Sequence, residues 1–286
     1  MRVWYGLSDG EIEEQVNDHL SFSRFDGLDM DEDAPDSTTL CRFRNALVRS
    51  GVCDSLLSEV KRQLEARRVM VTSGVIVDAS VTDSPRRPKG QKEYWMAEDR
   101  REDGQTDTAN ARLVEKPRPG VDMEVRWVKK AGKIHLGYKR HTMVNQDGLV
   151  IAEETTPANE SDMRHLKTPL EKARLSKDTP VMADKGYNPA ENRGILSGMG
   201  LKSRIMHKGQ KNRPLTMRKT AVNKAISKVR YAVERIFGSM HRWFGAGIAR
   251  YVGLAKTHAQ HIMGVHRLQL IPDSGDYCVQ LHQMRG

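Results

Sequence analysis

The sequence predicts an α/β fold, a mixed sheet of about five strands with flanking helices, preceded by a small all-helical N-terminal region. Three observations carry this expectation. An apolar, β-branched run at Gly74–Val81 has the texture of a strand buried on both faces. Two strand-like runs flank Asn145-Gln146-Asp147-Gly148, whose Asp-Gly step marks a hairpin turn. Further on, short apolar runs alternate with helical periodicity, the pattern of crossover connections.

The elements follow in order. Ser8-Asp9-Gly10-Glu11 is a capping box that opens a helix to about Leu20. After an acidic loop containing Pro35, Asp36 or Ser37 caps a second helix, with Leu40, Phe43 and Leu47 at helical spacing and Gly51 as its stop. A third runs from about Asp54 to Arg68, with Leu56, Leu57, Val60 and Leu64 on its buried side. Helices therefore occupy 1–70, a region suited to packing, dimerisation or contact with DNA. A domain at 71–264 begins with the Gly74–Val81 strand. Residues 83 to about 128 are polar and punctuated by Pro85, Pro88, Pro117 and Pro119, which reads as a long surface insertion whose composition favours disorder. Strands at Ile134–Val144 and Leu149–Thr155 come next. Asp162 caps a helix to about Leu175, and the strand Pro180–Ala183 ends at Asp184. A helix at Pro189–Leu196, a strand at Leu201–Met206, a basic loop and a helix from about Thr220 to Phe244 complete the domain. Residues 265–286 read as a polar tail. Three strands and then alternating helices and strands is the order of the RNase H-like fold.

Composition narrows the function. No apolar run approaches the ~20 residues of a membrane span, and the start lacks a signal peptide, so a cytoplasmic protein with no membrane partner is expected. Cys41, Cys53 and Cys278 share no CxxC spacing, which argues against a zinc site or disulfide framework. His258 and His261 are too close in sequence for the i,i+4 spacing of helical metal ligands. The net charge of +10 points to an acidic polymer as partner. Its distribution says more. Residues 1–40 carry eleven Asp/Glu against two Lys/Arg, whereas 201–250 carry thirteen Lys/Arg and one acid, Glu234.

Three carboxylates stand out. Asp78 interrupts a buried strand, where a charge is costly unless paired. Asp184 ends another strand that the chain order makes a plausible neighbour. Metal is one natural partner for Asp78; a turn cap or an arginine is the other. Glu234 lies on a helix, where Arg230 is about 40° and His241 about 20° away around the axis, so all three share a face. An ordinary i,i+4 Arg–Glu pair is the simpler reading of Arg230 and Glu234. Phosphoryl transfer on DNA uses two cations roughly 4 Å apart, and a few converging acids suffice to hold them.

Six motifs run in order along the chain: Tyr5-Gly6-Leu7-Ser8-Asp9, Asp78-Ala79-Ser80, His135-Leu136-Gly137-Tyr138-Lys139, Thr156-Pro157-Ala158-Asn159, Ala183-Asp184-Lys185-Gly186-Tyr187 and Val233-Glu234-Arg235-Ile236-Phe237-Gly238. Together they resemble the bacterial insertion-sequence transposases of the IS-five group, within the IS-four-like DDE superfamily. The resemblance implies an RNase H-like catalytic domain and a DDE triad at Asp78, Asp184 and Glu234. It implies two divalent cations, Mg²⁺ or Mn²⁺, with Asp78 bridging both and Asp184 and Glu234 holding one each. Double-stranded DNA would be the partner, as terminal inverted repeats and as target, with a homodimer or larger assembly on it. Arg230 and His241 would clamp phosphate; the family usually has Lys where His241 stands. Lys202, Lys208, Lys211 and Arg213, assigned to the basic loop, would bind the DNA backbone. Family members usually carry several dozen residues before Tyr-Gly-Leu-Ser, so a truncated copy is expected. Two other functions fit the same residues: a DNA-binding remnant unable to cut, and an RNase H-like nuclease acting on RNA–DNA hybrid. Metal-dependent cleavage of terminal-repeat DNA separates the first, and strand joining the second.

Overall fold

Six strands form the central sheet of the computed structural model, which describes residues 5–29, 32–70, 72–87, 94–100, 106–116, 120–209 and 214–270, with the backbone alone at 95–100, 106–112 and 270. The first core strand, β1 (Val75–Asp83), is followed by a hairpin of β2 (Tyr94–Arg100) and β3 (Thr106–Glu115), which forms a separate two-stranded sheet. Then come β4 (Arg126–Lys130), β5 (Lys133–Asn145), β6 (Val150–Pro157), β7 (Pro180–Ala183) and β8 (Lys202–Ile205). The core order is β6-β5-β1-β7-β8, with β4 added along the N-terminal end of β5. Pairings of β5 with β1 and β6 are antiparallel; β1–β7 and β7–β8 are parallel. Three antiparallel strands followed by two parallel crossovers is the RNase H-like arrangement. The sheet holds one strand more than the sequence suggests.

Alternation along β1 divides the core between the two faces of the sheet. Val75 and Val77 point to one face with Met143, Val181, Leu166, Leu170 and Leu196; α5 (Lys167–Ala173) and α6 (Ala190–Gly198) cover it. Ile76 points to the other with Val144, Val150 and Met182, beneath α7 (Met217–Phe244) and α8 (Leu254–Leu270). From α7, Ile226, Val233, Ile236 and Met240 enter that core at helical spacing, and from α8 Ile262 and Val265. Thr216 caps α7 through Lys219 N–H, and Gly245 closes it at φ 59°.

The N-terminal helices are α1 (Asp9–Asp18), α2 (Leu20–Asp26), α3 (Ser37–Ser50) and α4 (Val52–Ala66). Both arms of the Ser8/Glu11 capping box form, and Asp36 caps α3 through Thr39 N–H. The helix opened by that box breaks at His19, which adopts extended backbone. Cys53 and Leu57 of α4 join the core beneath the sheet, so this helix packs with the domain that follows it. The expected apolar stripes are displaced. Phe43 is 63 % exposed and no residue of α3 is buried, while Leu56 is 39 % exposed beside a buried Leu57.

Three further differences have local causes. The insertion carries strands β2, β3 and β4, because ladder partners there satisfy backbone groups that polar composition alone leaves unassigned. Asp162 caps no α-helix: it begins a 3₁₀ turn and pairs with Lys139 at 2.8 Å. The tail starts later than its polarity suggests, since α8 continues to Leu270 with Val265 fully buried. Cys53 is buried and Cys41 partly so, both as free thiols; Cys278 lies outside the described residues.

Candidate active site

Strand register brings the two aspartates together. β1 and β7 run parallel with Val77 opposite Ala183 as their last pair, so the next residues, Asp78 and Asp184, leave that pair at the same end. The apolar runs before them bury both strands. Asp184 leaves the sheet at the start of a 3₁₀ turn (Lys185–Tyr187) and accepts from Lys185 N–H at 2.6 Å. Asp78 Oδ1 accepts from Ala79 N–H at 2.9 Å.

Helix α7 crosses the same face of the sheet and supplies the third group. Arg230 Nη2 donates to Asp78 Oδ2 at 2.6 Å, and Nη1 lies 3.6 Å from Asp184 Oδ1. An arginine was among the partners open to Asp78, and Arg230 takes that place. Glu234, one turn further along α7, is exposed and adds to the negative field on Arg230. Burial works against the Arg230 charge, but Asp78, Asp184 and Glu234 outweigh it and raise its pKa. The i,i+4 pair of Arg230 with Glu234 gives way to contacts across the sheet.

A second contact continues along the same two elements. Two residues beyond Asp78 on the same face of β1, Ser80 Oγ lies 3.2 Å from His241 Nε2 of α7. Burial, then the nearby Arg140, lowers the His241 pKa below its ordinary 6.5, with Asp83 opposing. The same burial that lowers its pKa disfavours the charged imidazolium at His241.

The basic residues divide. Lys208 is exposed in the loop that leaves β8 at the end of the sheet where Asp184 sits. That loop is tied to α7 by His207 N–H donating to Asn223 Oδ1 at 2.8 Å and Asn223 Nδ2 donating to His207 O at 2.9 Å. Lys202 is in β8 and not in the loop. It pairs with Asp178 at 3.1 Å, opposite Pro180 and at the far end of β7 from Asp184. Lys211 and Arg213 lie outside the described residues. Two groups near the site escaped sequence reasoning. Ser80 was hidden because a strand serine is unremarkable; its place two residues after Asp78 was the available signal. Lys130 of β4 donates to Ala79 O at 2.8 Å, and no local pattern announced β4.

His258 and His261 do share a helix face, three residues apart, and both approach Thr155 Oγ1, at 3.0 and 2.8 Å. Their other nitrogens meet Asp54 and Thr82. They form a hydrogen-bonded network that joins α4, β1, β6 and α8.

Among the described residues no group of three or more His, Cys, Asp or Glu is gathered tightly enough to hold a metal ion. The donor chemistry nonetheless suits a hard cation: two carboxylates at the same end of a strand pair, already sharing a positive charge, with a third acid one turn away.

Comparison with known proteins identifies the family. Residues 70–266 match the transposase DDE domain family, and residues 1–46 match a second transposase domain family, DUF772. The transposase for insertion sequence element IS1106 of Neisseria meningitidis serogroup B is 37 % identical over 232 residues, covering 80 % of this chain and 76 % of that protein. Among solved structures, the Mos1 transposase paired-end complex with left transposon end aligns over 92 % of this chain and 75 % of its own at 12 % identity. Its TM-score is 0.25, so the fold assignment rests on the strand order instead. By the domain match and the relative together, the chain belongs to the DDE-domain transposases of insertion sequences.

Proposed function

We propose that this transposase cuts DNA at the ends of an insertion sequence and joins them to target DNA, with Asp78, Asp184 and Glu234 as its catalytic carboxylates. The observation that supports this most is the register of β1 and β7, which sets Asp78 beside Asp184 at a rigid sheet edge beneath α7. The three acids would hold two divalent cations, Mg²⁺ or Mn²⁺. Such cations, when bound, activate an attacking oxygen and stabilise a leaving one.

The chain's own residues do the rest. In the first step water breaks the phosphodiester bond at the element's terminus and leaves a 3′-hydroxyl. In the second, that hydroxyl attacks a phosphate of target DNA, and a new phosphodiester forms as an old one breaks. Arg230, already at the carboxylates, is positioned to meet the phosphate undergoing exchange. Lys208, on the loop beside Asp184, and Lys211 and Arg213 after it, hold the backbone without reading bases. Lys202, at the other end of β8, contributes at most to a peripheral contact. His241 supports the site through Ser80. Two or more copies on paired DNA ends are the expected assembly.

Asp184→Ala should lower metal-dependent cleavage of terminal-repeat DNA by at least about 10²-fold, the usual scale for removing a group that stabilises charge at a reacting centre. Binding to the same DNA, measured by mobility shift, should persist. A variant that still cuts at the normal rate would sink the assignment. Wild-type protein that binds the ends but never cuts them would instead be the non-catalytic DNA-binding form.

A further inference from the structure

Arg230 occupies the carboxylates in an unusual way. Its guanidinium spans Asp78 and Asp184, yet only Nη2 makes a hydrogen bond, at 2.6 Å. The Nη1 contact to Asp184 is an ion pair at 3.6 Å, and Nε is buried without a hydrogen-bond partner. The planar fork of an arginine can make several hydrogen bonds at once. This one is held by charge and a single bond, at a spot still open to solvent on the Asp184 side, where the carboxylate side chain is 33 % exposed.

The oxygens that Arg230 holds are the ones that a divalent cation would need. With Nη2 seated on Asp78 Oδ2 at 2.6 Å, the guanidinium fills the space in front of that oxygen, so a cation can bind there only if the guanidinium moves. It then needs another anion, because a desolvated arginine without a partner is costly. A DNA phosphate fits, since it accepts an arginine fork in a bidentate manner.

We propose that Arg230 is an internal counter-cation that keeps the Asp78–Asp184 pair closed to divalent metal until DNA phosphate draws it away. This rests on the assignment of Asp78 and Asp184 as metal ligands. Binding is reciprocal: the factor by which DNA raises metal affinity is the factor by which metal raises DNA affinity. In free protein the arginine is a competitor; on DNA it becomes a positioning residue.

Mn²⁺ binding, read from the loss of the free-ion EPR signal, tests this on the full chain without any turnover. Wild type without DNA should bind Mn²⁺ weakly, and terminal-repeat DNA should tighten binding by about 10-fold or more. Arg230→Gln should bind Mn²⁺ about 10-fold more tightly than wild type in the absence of DNA, and should lose most of the enhancement by DNA. Arg230→Ala repeats the measurement if the Gln variant does not fold by circular dichroism. Adding Asp184→Asn to Arg230→Gln should abolish the gain. Equal Mn²⁺ affinity in wild type and Arg230→Gln, with wild type still cutting DNA in Mn²⁺, would overturn the counter-cation role and leave the catalytic assignment standing. Absence of both Mn²⁺ binding and cleavage, with DNA present, would overturn the assignment itself.

Discussion

Arg140 and Arg230 are both arginines held by carboxylates on the α7 side of the sheet, and their burial separates their roles. Arg140 is fully buried on β5 and donates from Nε to Glu153 Oε1 at 2.8 Å, while Glu153 Oε2 accepts from Thr142. A charge so deeply desolvated has no exit, and the pair ties β5 to β6. Arg230 sits at a solvent edge between two acids and can exchange partners. Histidines show the same influence of burial. Burial, then the stacked His165, pushes His141 down to about 2, and burial pushes His261 well below 6.5. His165 moves the other way, chiefly through its hydrogen bond to Glu154. Below pH 6.5 the unfolded chain takes up protons at positions 141 and 261 that the folded chain refuses. Stability from these two is therefore complete above that range and is lost as pH falls, by up to ~1.4 kcal/mol per pH unit per histidine. His165, which gains stability on protonation, offsets part of the loss. Urea unfolding midpoints should drop between about pH 7 and 5, and His141→Gln should flatten the slope. An unchanged midpoint at the lower pH would contradict the buried-neutral reading.

Among the elements, β5 carries the most constraints, because β1, β4 and β6 all pair with it. Gly137 stands where the β1 and β4 ladders meet, opposite both Asp83 and Arg126. A Cβ there would collide with the Thr82 carbonyl oxygen and crowd Asp83 Cα and Ser84 N, all backbone atoms with nowhere to move. Gly137→Ala should therefore cost roughly 3 kcal/mol or more, at the severe end for a single substitution. Thermal unfolding should show a large loss, with DNA binding and cleavage falling together; a variant as stable as wild type would mean that the strand relaxes freely. Local pattern had marked Gly137 only as part of a motif, since the backbone that crowds it lies more than fifty residues earlier in the chain. Helix α7 was easier to read: its apolar spacing is local, and so is the shared face of Arg230, Glu234 and His241, although it starts at Met217 behind the Thr216 cap and not at Thr220. Its partners are not local. Period tells which residues face together, and only packing tells that they face Asp78 and Ser80.

Charge acts at the scale of the molecule. With a net charge of +10 concentrated in residues 201–250, much of the DNA affinity should come from release of counterions. Affinity for duplex DNA should fall by about 10³-fold or more between ~50 and ~200 mM salt, if six or more phosphates are engaged. Fluorescence anisotropy across that range would decide, and an affinity that does not respond to salt would rule out a backbone-dominated interface. Sequence alone determined the order of the five core strands and of the helices between and after β6, β7 and β8, the capped ends of α3, and the two aspartates, one interrupting an apolar strand and one ending another. All of these follow from periodicity and end chemistry within a few residues. Tertiary structure alone decided that β4 lengthens the sheet, that Lys202 sits away from the carboxylates, and that α8 runs on to Leu270. It also decided that Arg230 spans Asp78 and Asp184 and leaves Glu234 aside. Those outcomes depend on register and on competition for charge between residues far apart in the chain, and spacing along one strand of sequence carries no record of either.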